Sequence, residues 1–308
     1  VTVTPQMPND SIGNVEGMPR LAVLLVSHNR RDSTVRALQA LRNSEGFEIE
    51  VVLFDDASND GTDTAVREVW PTAHIVHGDG TAFWNGGLYA AWNASLGLEP
   101  DAFLWLNDDV VLDPTAIEQL RSAWDDQRER GHHQFILVGA TRNSDGLQTY
   151  GGISARVSPT SIALELAGLA DNPVAVDTFN GNIVLVPAEV VRKIGINDPG
   201  YFHNLGDIDY GLRATAAGIP ILQLAGSLGV CEANVEKSSK GYGSPHLSVF
   251  EQWRKVNTHH GLPPRSWWLY TRRHSGRWWP LHFLLPYRHL LKFWRLGGDS
   301  PREQSNGN

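Results

Sequence analysis

The 308-residue chain reads as an α/β protein: a mainly parallel central sheet flanked by helices, with a C-terminal helical extension. Three observations predict this. Apolar, β-branched runs alternate with helical stretches through the first hundred residues. From about residue 135 short strands follow one another, separated by Gly, Pro, Asn and Asp. Beyond residue 246 helical segments are broken by prolines.

The first strands are LAVLLVS (21–27), EIEVVLF (48–54), AHIVH (73–77) and AFLWLN (102–107), with helices expected over 32–43, 62–70 and 87–98. Strands joined by helices of that length imply right-handed crossovers. Their continuous apolar runs imply a sheet covered on both faces. FILVGAT, LQTYGG, SIALEL, VAVDTF and NIVLVP then read as antiparallel pieces, followed by a helix over 207–217 and a strand over 219–224. Gly195, Gly206, Gly218 and Gly226 mark turns, and Pro263–Pro264, Pro280 and Pro286 interrupt the extension. The expected divisions are a flexible leader (1–20), a globular body (21–245), a basic aromatic extension (246–297) and a flexible tail (298–308).

Composition excludes several classes. A chain with 41% hydrophobic and 19% charged residues is neither disordered nor fibrous. A single cysteine, Cys231, excludes an intrachain disulfide framework and a Cys-based zinc or iron–sulfur site. The formal charge of −8 argues against general nucleic-acid binding. That charge is unevenly placed: residues 253–295 hold nine Lys/Arg, no Asp or Glu and six of the eleven tryptophans, which leaves 1–252 strongly acidic. No run approaches the ~20 apolar residues of a membrane span, and the first twenty residues lack the pattern of a signal peptide, so a cytoplasmic body is expected.

In parallel sheets ligands bind beyond the carboxyl ends of the strands. Four clusters stand there: Ser27-His28-Asn29-Arg30, Asp55-Asp56 leading into SNDGT, Gly78-Asp79-Gly80 with Trp84-Asn85-Gly86-Gly87, and Asn107-Asp108-Asp109. Each has a plainer reading: Ser58 or Asp60 as a helix cap, Gly86-Gly87 as a packing site, Asp108-Asp109 as a solvated turn. Together they place carboxylates and amides where a dinucleotide fold shows glycines, and neither G-x-G-x-x-G nor a P-loop occurs. Paired carboxylates at a strand end suit Mg²⁺ or Mn²⁺, which share one or two carboxylates with substrate phosphates.

The order SHNR, DDASNDGT, WNGG, LNDD and GDIDYGLRA resembles the family 2 glycosyltransferases, over about residues 20–235. GDGTAFWNGG and GDIDYGLRATAAG resemble a bacterial, rhamnosyltransferase-like subgroup of cell-surface polysaccharide assembly. The resemblance implies the GT-A fold, with a nucleotide-sugar half (21–110) and an acceptor half (111–245). It implies a nucleotide-diphospho-sugar donor, UDP- or dTDP-linked, and a glycan or lipid-linked glycan acceptor. Asp55 and Asp56 take the nucleoside-contacting positions, and Ser27, Asn29, Arg30, Asp79, Asn85, Gly86 and Asp108 join them around the donor. Asp109, with Asp108, takes the metal-holding position for Mn²⁺ or Mg²⁺. The later family motif usually reads E-D-x-D; here Gly206 stands where Glu does, and Asp207 takes the place of the general base of an inverting transfer.

Other residues keep two readings. Trp84 suits a platform for a sugar ring or core packing. Asn182 suits the acceptor side or a turn. Asp209 suits a sugar contact or, with Arg213 four residues on, a helix-stabilising pair. His203, His246 and His274 are candidates for a third metal ligand. A nucleotidyltransferase and a non-enzymatic glycan-binding protein are the rival functions; the former lacks a glycine-bearing phosphate loop after the first strand, and the intact aspartates speak against the latter. In the extension, Phe283, Leu284, Leu290, Leu291 and Trp294 with Arg288, Lys292 and Arg295 read as an amphipathic stripe for peripheral contact with anionic lipid at the inner membrane face, with packing on the body as the alternative.

Overall fold

A computed structural model describes residues 17–233, 249–258 and 261–287, and the side chains of all of these except Val249 and Gln252. The expected βα alternation is present. In chain order the first half contains β1 (Arg20–Ser27), α1 (Arg31–Arg42), β2 (Glu48–Asp55), α2 (Thr62–Val69), β3 (His74–His77), α3 (Phe83–Ser95), β4 (Ala102–Leu106), β5 (Val111–Leu112) and α4 (Ala116–Glu129). There follow β6 (Ile136–Val138), β7 (Thr141–Arg142), β8 (Gln148–Tyr150), β9 (Gly152–Ser158), β10 (Ser161–Leu166), β11 (Val174–Val176), β12 (Thr178–Phe179), β13 (Ile183–Pro187), α5 (Ala188–Ile194), α6 (Gly206–Ala216), β14 (Ile221–Gln223) and β15 (Gly229–Val230).

Eight strands form the central sheet in the order β11-β14-β6-β13-β4-β1-β2-β3. The block β4-β1-β2-β3 is wholly parallel, with Ser27 paired to Asp55 and Asp55 to His77. All four carboxyl ends therefore lie on one edge. Across its other half the short strands run as the antiparallel reading expects: β13 is antiparallel to both β4 and β6, and β11 to β14, while β14 lies parallel to β6. No helix connects the short pieces between β6 and β13, so nothing there forces a parallel crossover. The reversal of β13 has a consequence for function. Its amino end, with Asn180-Gly181-Asn182 just before it, lies beside the carboxyl end of β4, where Ile183 pairs with Leu106.

Alternate residues of β1 enter two different cores. Leu21, Val23 and Leu25 pack with α1 and α4, while Ala22 and Leu24 pack with α3 and α6. This is the two-sided burial that continuous apolar strands require. On the second face Trp92 and Trp105 meet edge-on (5.2 Å between centroids), and Tyr210 of α6 tilts against both at 5.1 and 5.3 Å. Aromatic edge contacts of this kind fix α6 on the sheet. The α3 helix begins at Phe83, four residues before the predicted start, so Trp84-Asn85-Gly86-Gly87 is a first helical turn and no loop. Gly87 is required there, because a Cβ would stand 2.6 Å from Val26 and 2.8 Å from Phe54.

The chain separates into two compact units. The first comprises the described residues up to Arg156 and those of 163–233. The second comprises 157–162 with the C-terminal helices α7 (Val249–Val256), α8 (Pro264–His274) and α9 (Trp279–Leu284). Within it Tyr270 and Thr271 of α8 are buried, and so is His282 of α9, whose Nε2 is 2.8 Å from the Ser158 carbonyl oxygen. Trp267 Nε1–H donates to the His282 carbonyl (3.0 Å), which ties α8 to α9. No helix among the described residues is long and apolar enough to cross a membrane. His246 and the stripe residues Arg288, Leu290, Leu291, Lys292, Trp294 and Arg295 lie outside the described residues.

Candidate active site

At the end of β2, the two aspartates build loops. Asp56 is buried, and both its carboxylate oxygens accept backbone N–H groups, from Gly80 (2.9 Å) and Phe83 (3.1 Å). It thereby shapes the 78–83 segment that starts α3. Gly78 has to be glycine here, since a Cβ would lie 2.5 Å from Asp56 Oδ1 and 2.6 Å from the Phe54 ring. Asp55 accepts the Ser58 N–H (2.9 Å) through Oδ1. Asn29, at φ 52, ties β1 to the same loop: its N–H donates to Ser58 Oγ and its Oδ1 accepts from Asn59 N–H. Asp60 satisfies a free donor at the helix start, as the capping reading expects: its Oδ1 accepts the N–H of Thr62, the first residue of α2 (3.1 Å). It accepts from Thr62 Oγ1 and from the Arg31 N–H, joining α2 and α1, and the Thr62 hydroxyl holds its carboxyl below the usual range. Asp79 is exposed and turned onto Thr81, whose hydroxyl lowers its pKa likewise.

The pair at the end of β4 is differently treated. Asp108 is buried, yet its Oδ2 has no hydrogen-bond partner among the described residues. Burial pushes its carboxyl up to about 7; Arg30 pulls against that shift and the adjacent Asp109 charge adds to it. Arg30, from the end of β1, reaches both: Nη1 is 3.3 Å from Asp108 Oδ1 and Nη2 2.9 Å from Asp109 Oδ2. Ser27 is buried at the end of β1, bonded to Thr34 (2.9 Å) and set to hydrogen-bond Asp108. Cys231 Sγ–H points to Asp109 Oδ1 at 3.5 Å, and burial raises its thiol pKa strongly. The link from Cys231 spans 122 positions, and nothing in the sequence signals it.

A third carboxylate completes the edge. Asp207 is half-buried in the first turn of α6, and its Oδ2 accepts the Gly181 N–H (3.1 Å). Gly181 in turn packs so closely on the Trp84 ring that a Cβ would come within 2.6 Å of it. Trp84 Nε1–H donates to Asn107 Oδ1 (2.8 Å), and its ring meets Trp105 edge-on. One indole thus touches the turn that leads into Asp108–Asp109 and the turn that binds Asp207. These contacts are those of the packing reading of Trp84.

Three residues expected to contact ligand are structural. Asn85 is fully buried; its Nδ2 donates to the carbonyls of Asp198 and Tyr201 (2.9 Å each), and Asn197 Nδ2 donates to its Oδ1 (3.0 Å). Asp209 is equally buried, receiving the Tyr201 hydroxyl (2.8 Å) and Arg213 Nε (3.0 Å). Both residues anchor the 194–205 segment that delivers α6, and neither has surface to offer a sugar. Asn182 is buried too: its carbonyl accepts the Asn107 N–H and its Nδ2 faces Cys231 Sγ, so it braces the turn carrying the carboxylate pair. Gly86 lies in the first turn of α3. At Gly206 any Cβ would collide with the Asn85 amide, which explains why no glutamate precedes Asp207.

A divalent cation fits the β4 end on one observation: a buried carboxylate oxygen of Asp108 that no group among the described residues satisfies. Among the described residues no three or more His, Cys, Asp or Glu side chains cluster as a metal cage. The Asp108–Asp109 pair alone would leave most positions around such a cation open to other ligands, a habit usual for Mg²⁺. His203 lies beside the start of α3, its Nδ1 3.5 Å from the Trp84 nitrogen, and His274 tilts against Tyr270 in the second unit.

Residues 22–147 match the family model described as glycosyl transferase family 2. Among solved structures, a mannosyltransferase from Pyrobaculum calidifontis in complex with GDP-Man and Mn²⁺ is similar at a TM-score of 0.53 and 14% identity, over 92% of this chain and 77% of that one. S. aureus TarS (residues 1–349) in complex with UDP is similar at a TM-score of 0.57 and 14% identity, over 90% and 92%. No curated protein sequence matches the chain. The fold is GT-A, and the family match supports a glycosyltransferase.

Proposed function

We propose that this chain is an inverting glycosyltransferase that moves a sugar from a UDP- or dTDP-linked donor to a hydroxyl of a glycan or lipid-linked glycan. One observation supports this above the others: Asp207 and the Asp108–Asp109 pair are brought to the same sheet edge through a single indole, Trp84. The similarity to structures holding GDP-Man with Mn²⁺ and UDP agrees with a nucleoside-diphosphate ligand there.

In this reading Asp207 is the general base. It takes the proton of the acceptor hydroxyl while that oxygen bonds to the anomeric carbon. The bond from that carbon to the diphosphate breaks on the opposite face, and its electron pair leaves with the diphosphate. The Gly181 N–H keeps the Asp207 carboxylate oriented. Asp55, whose Oδ1 accepts the Ser58 N–H, faces the nucleoside with its other oxygen, while Asp56 keeps the loop shaped. Asp108 and Asp109 would hold Mn²⁺ or Mg²⁺, which would supply positive charge against the departing diphosphate. Testing UDP-, dTDP- and GDP-sugars with lipid-linked and free glycans, with and without Mn²⁺, should give transfer with inverted anomeric configuration only when the cation is present. Retention of configuration, or nucleotidyl transfer to a sugar phosphate, overturns the reading.

The C-terminal unit suits a place at the inner face of a membrane. Its described residues expose Phe250, Trp253, Trp268, Leu281 and Leu284, and Arg272 and Arg277 lie over the rings of Trp279 and Trp278. Tryptophan favours the headgroup layer, and each Lys or Arg near an anionic surface adds ~1 kcal/mol. The full chain should bind vesicles containing anionic lipid at low salt and release them at high salt, and Trp268→Ser with Leu284→Ser should weaken binding. Indifference to such vesicles removes the membrane from the proposal.

A further inference from the structure

We infer that Arg30 is a displaceable counter-ion: it holds the Asp108–Asp109 pair before a donor arrives and transfers to the donor's diphosphate when the cation takes the pair. The inference rests on the donor-site reading above and adds an order of events to it.

The geometry poses a charge problem. Two adjacent carboxylates, one with a side chain only 6% exposed, stand against one guanidinium, so with both ionised the cluster carries one more negative than positive charge. Two like charges at this spacing disfavour each other and need a cation. Arg30 is the only Lys or Arg among the described residues with an ion pair to either aspartate. It comes from a different strand end, its side chain is 45% exposed, and it leaves Asp108 Oδ2 without a partner. Its hold is therefore incomplete, and its route to solvent is open.

A divalent cation arriving alone must compete with Arg30 for both carboxylates. The displaced guanidinium would then face the metal's charge with nothing to pair with. A diphosphate changes this balance, because the planar fork of arginine matches phosphate oxygens as well as carboxylate oxygens. Cation and diphosphate should consequently bind with positive coupling, each making room for the other. Arg30 is a positioning residue in this account, and its removal should move the two single-ligand affinities in opposite directions.

The test compares the full-length protein with Arg30→Gln and Arg30→Lys. Mn²⁺ alone is titrated by the electron paramagnetic resonance of the free ion. UDP, dTDP and GDP without metal are titrated by calorimetry. Arg30→Gln should bind Mn²⁺ about tenfold more tightly and the preferred nucleotide about tenfold more weakly, with Arg30→Lys between. A purely structural role for Arg30 would weaken both, and that result overturns the inference; so does unchanged Mn²⁺ affinity in a variant whose circular dichroism and melting match the parent. If the parent protein binds Mn²⁺ neither alone nor with any of the three nucleotides, the donor-site reading falls and Arg30's role with it.

Discussion

Asp55–Asp56 and Asp108–Asp109 stand on either side of β1, at the ends of β2 and β4, and in sequence they look alike. Their surroundings differ in kind. The first pair is built into backbone: three N–H groups, of Ser58, Gly80 and Phe83, fill three of its four oxygens. The second pair meets side chains that can move and keeps one buried oxygen with no partner. A carboxylate satisfied by N–H groups stabilises the loop it closes, whereas one left short stores a cost that a ligand can remove. The comparison separates framework from reactive site more sharply than the residue types do.

The largest expected effect lies outside both pairs and fixes the scale. Asp207→Asn keeps shape but cannot accept a proton, so transfer should fall by roughly 10²–10⁴-fold with donor affinity little changed. Loss of donor binding with chemistry intact at saturation would make Asp207 a donor ligand. Next comes the reactive pair. Asp109→Asn should lower metal-dependent transfer by roughly 10²–10³-fold while leaving the melting temperature where it was or raising it. A variant with parental turnover and an intact response to Mn²⁺ would take Asp109 out of the site. Smallest is the framework pair: Asp56→Asn should lose about 1–3 kcal/mol of stability, because Gly80 and Phe83 N–H groups no longer share a charged acceptor. If Asp56→Asn cost activity alone, the division between the pairs would fail.

Most of the fold was legible because it depends on local pattern. β1, β2 and β4 carry largely apolar, buried runs, and their ends could be read to within a residue or two. The start of α3 was not, since Gly86-Gly87 resembles a loop; the need for Gly87 comes from Val26 and Phe54, which lie elsewhere in sequence. The antiparallel character of β13 was legible from its short, turn-bounded neighbours, but its place between β4 and β6 depends on tertiary pairing. At the site, residue type pointed to the right strand ends but could not rank the residues found there. Asn85, Asn182 and Asp209 are as polar as any ligand, and only their burial and partners place them in the framework. The embrace of Asp108 and Asp109 by Arg30 was hidden for the same reason: 78 and 79 positions separate the charges.

The central claim, that the β4 pair is poised at the expense of stability, has a direct thermodynamic signature. Asp108 has a folded-state pKa near 7 against an ordinary 3.8, so between those values the folded protein holds the proton more tightly than the unfolded chain. Its contribution to stability is thus most favourable at low pH and is lost as pH rises from about 4 through 7. Asp108→Asn removes this dependence. In buffer with a chelator, denaturant unfolding of the parent, Asp108→Asn and Asp56→Asn should be followed from pH 4.5 to 8.5. Asp108→Asn should gain on the parent as pH rises, by on the order of 4 kcal/mol above pH 7, while Asp56→Asn is less stable than the parent throughout. Two variants that both lose stability at pH 8, by similar amounts, would contradict it.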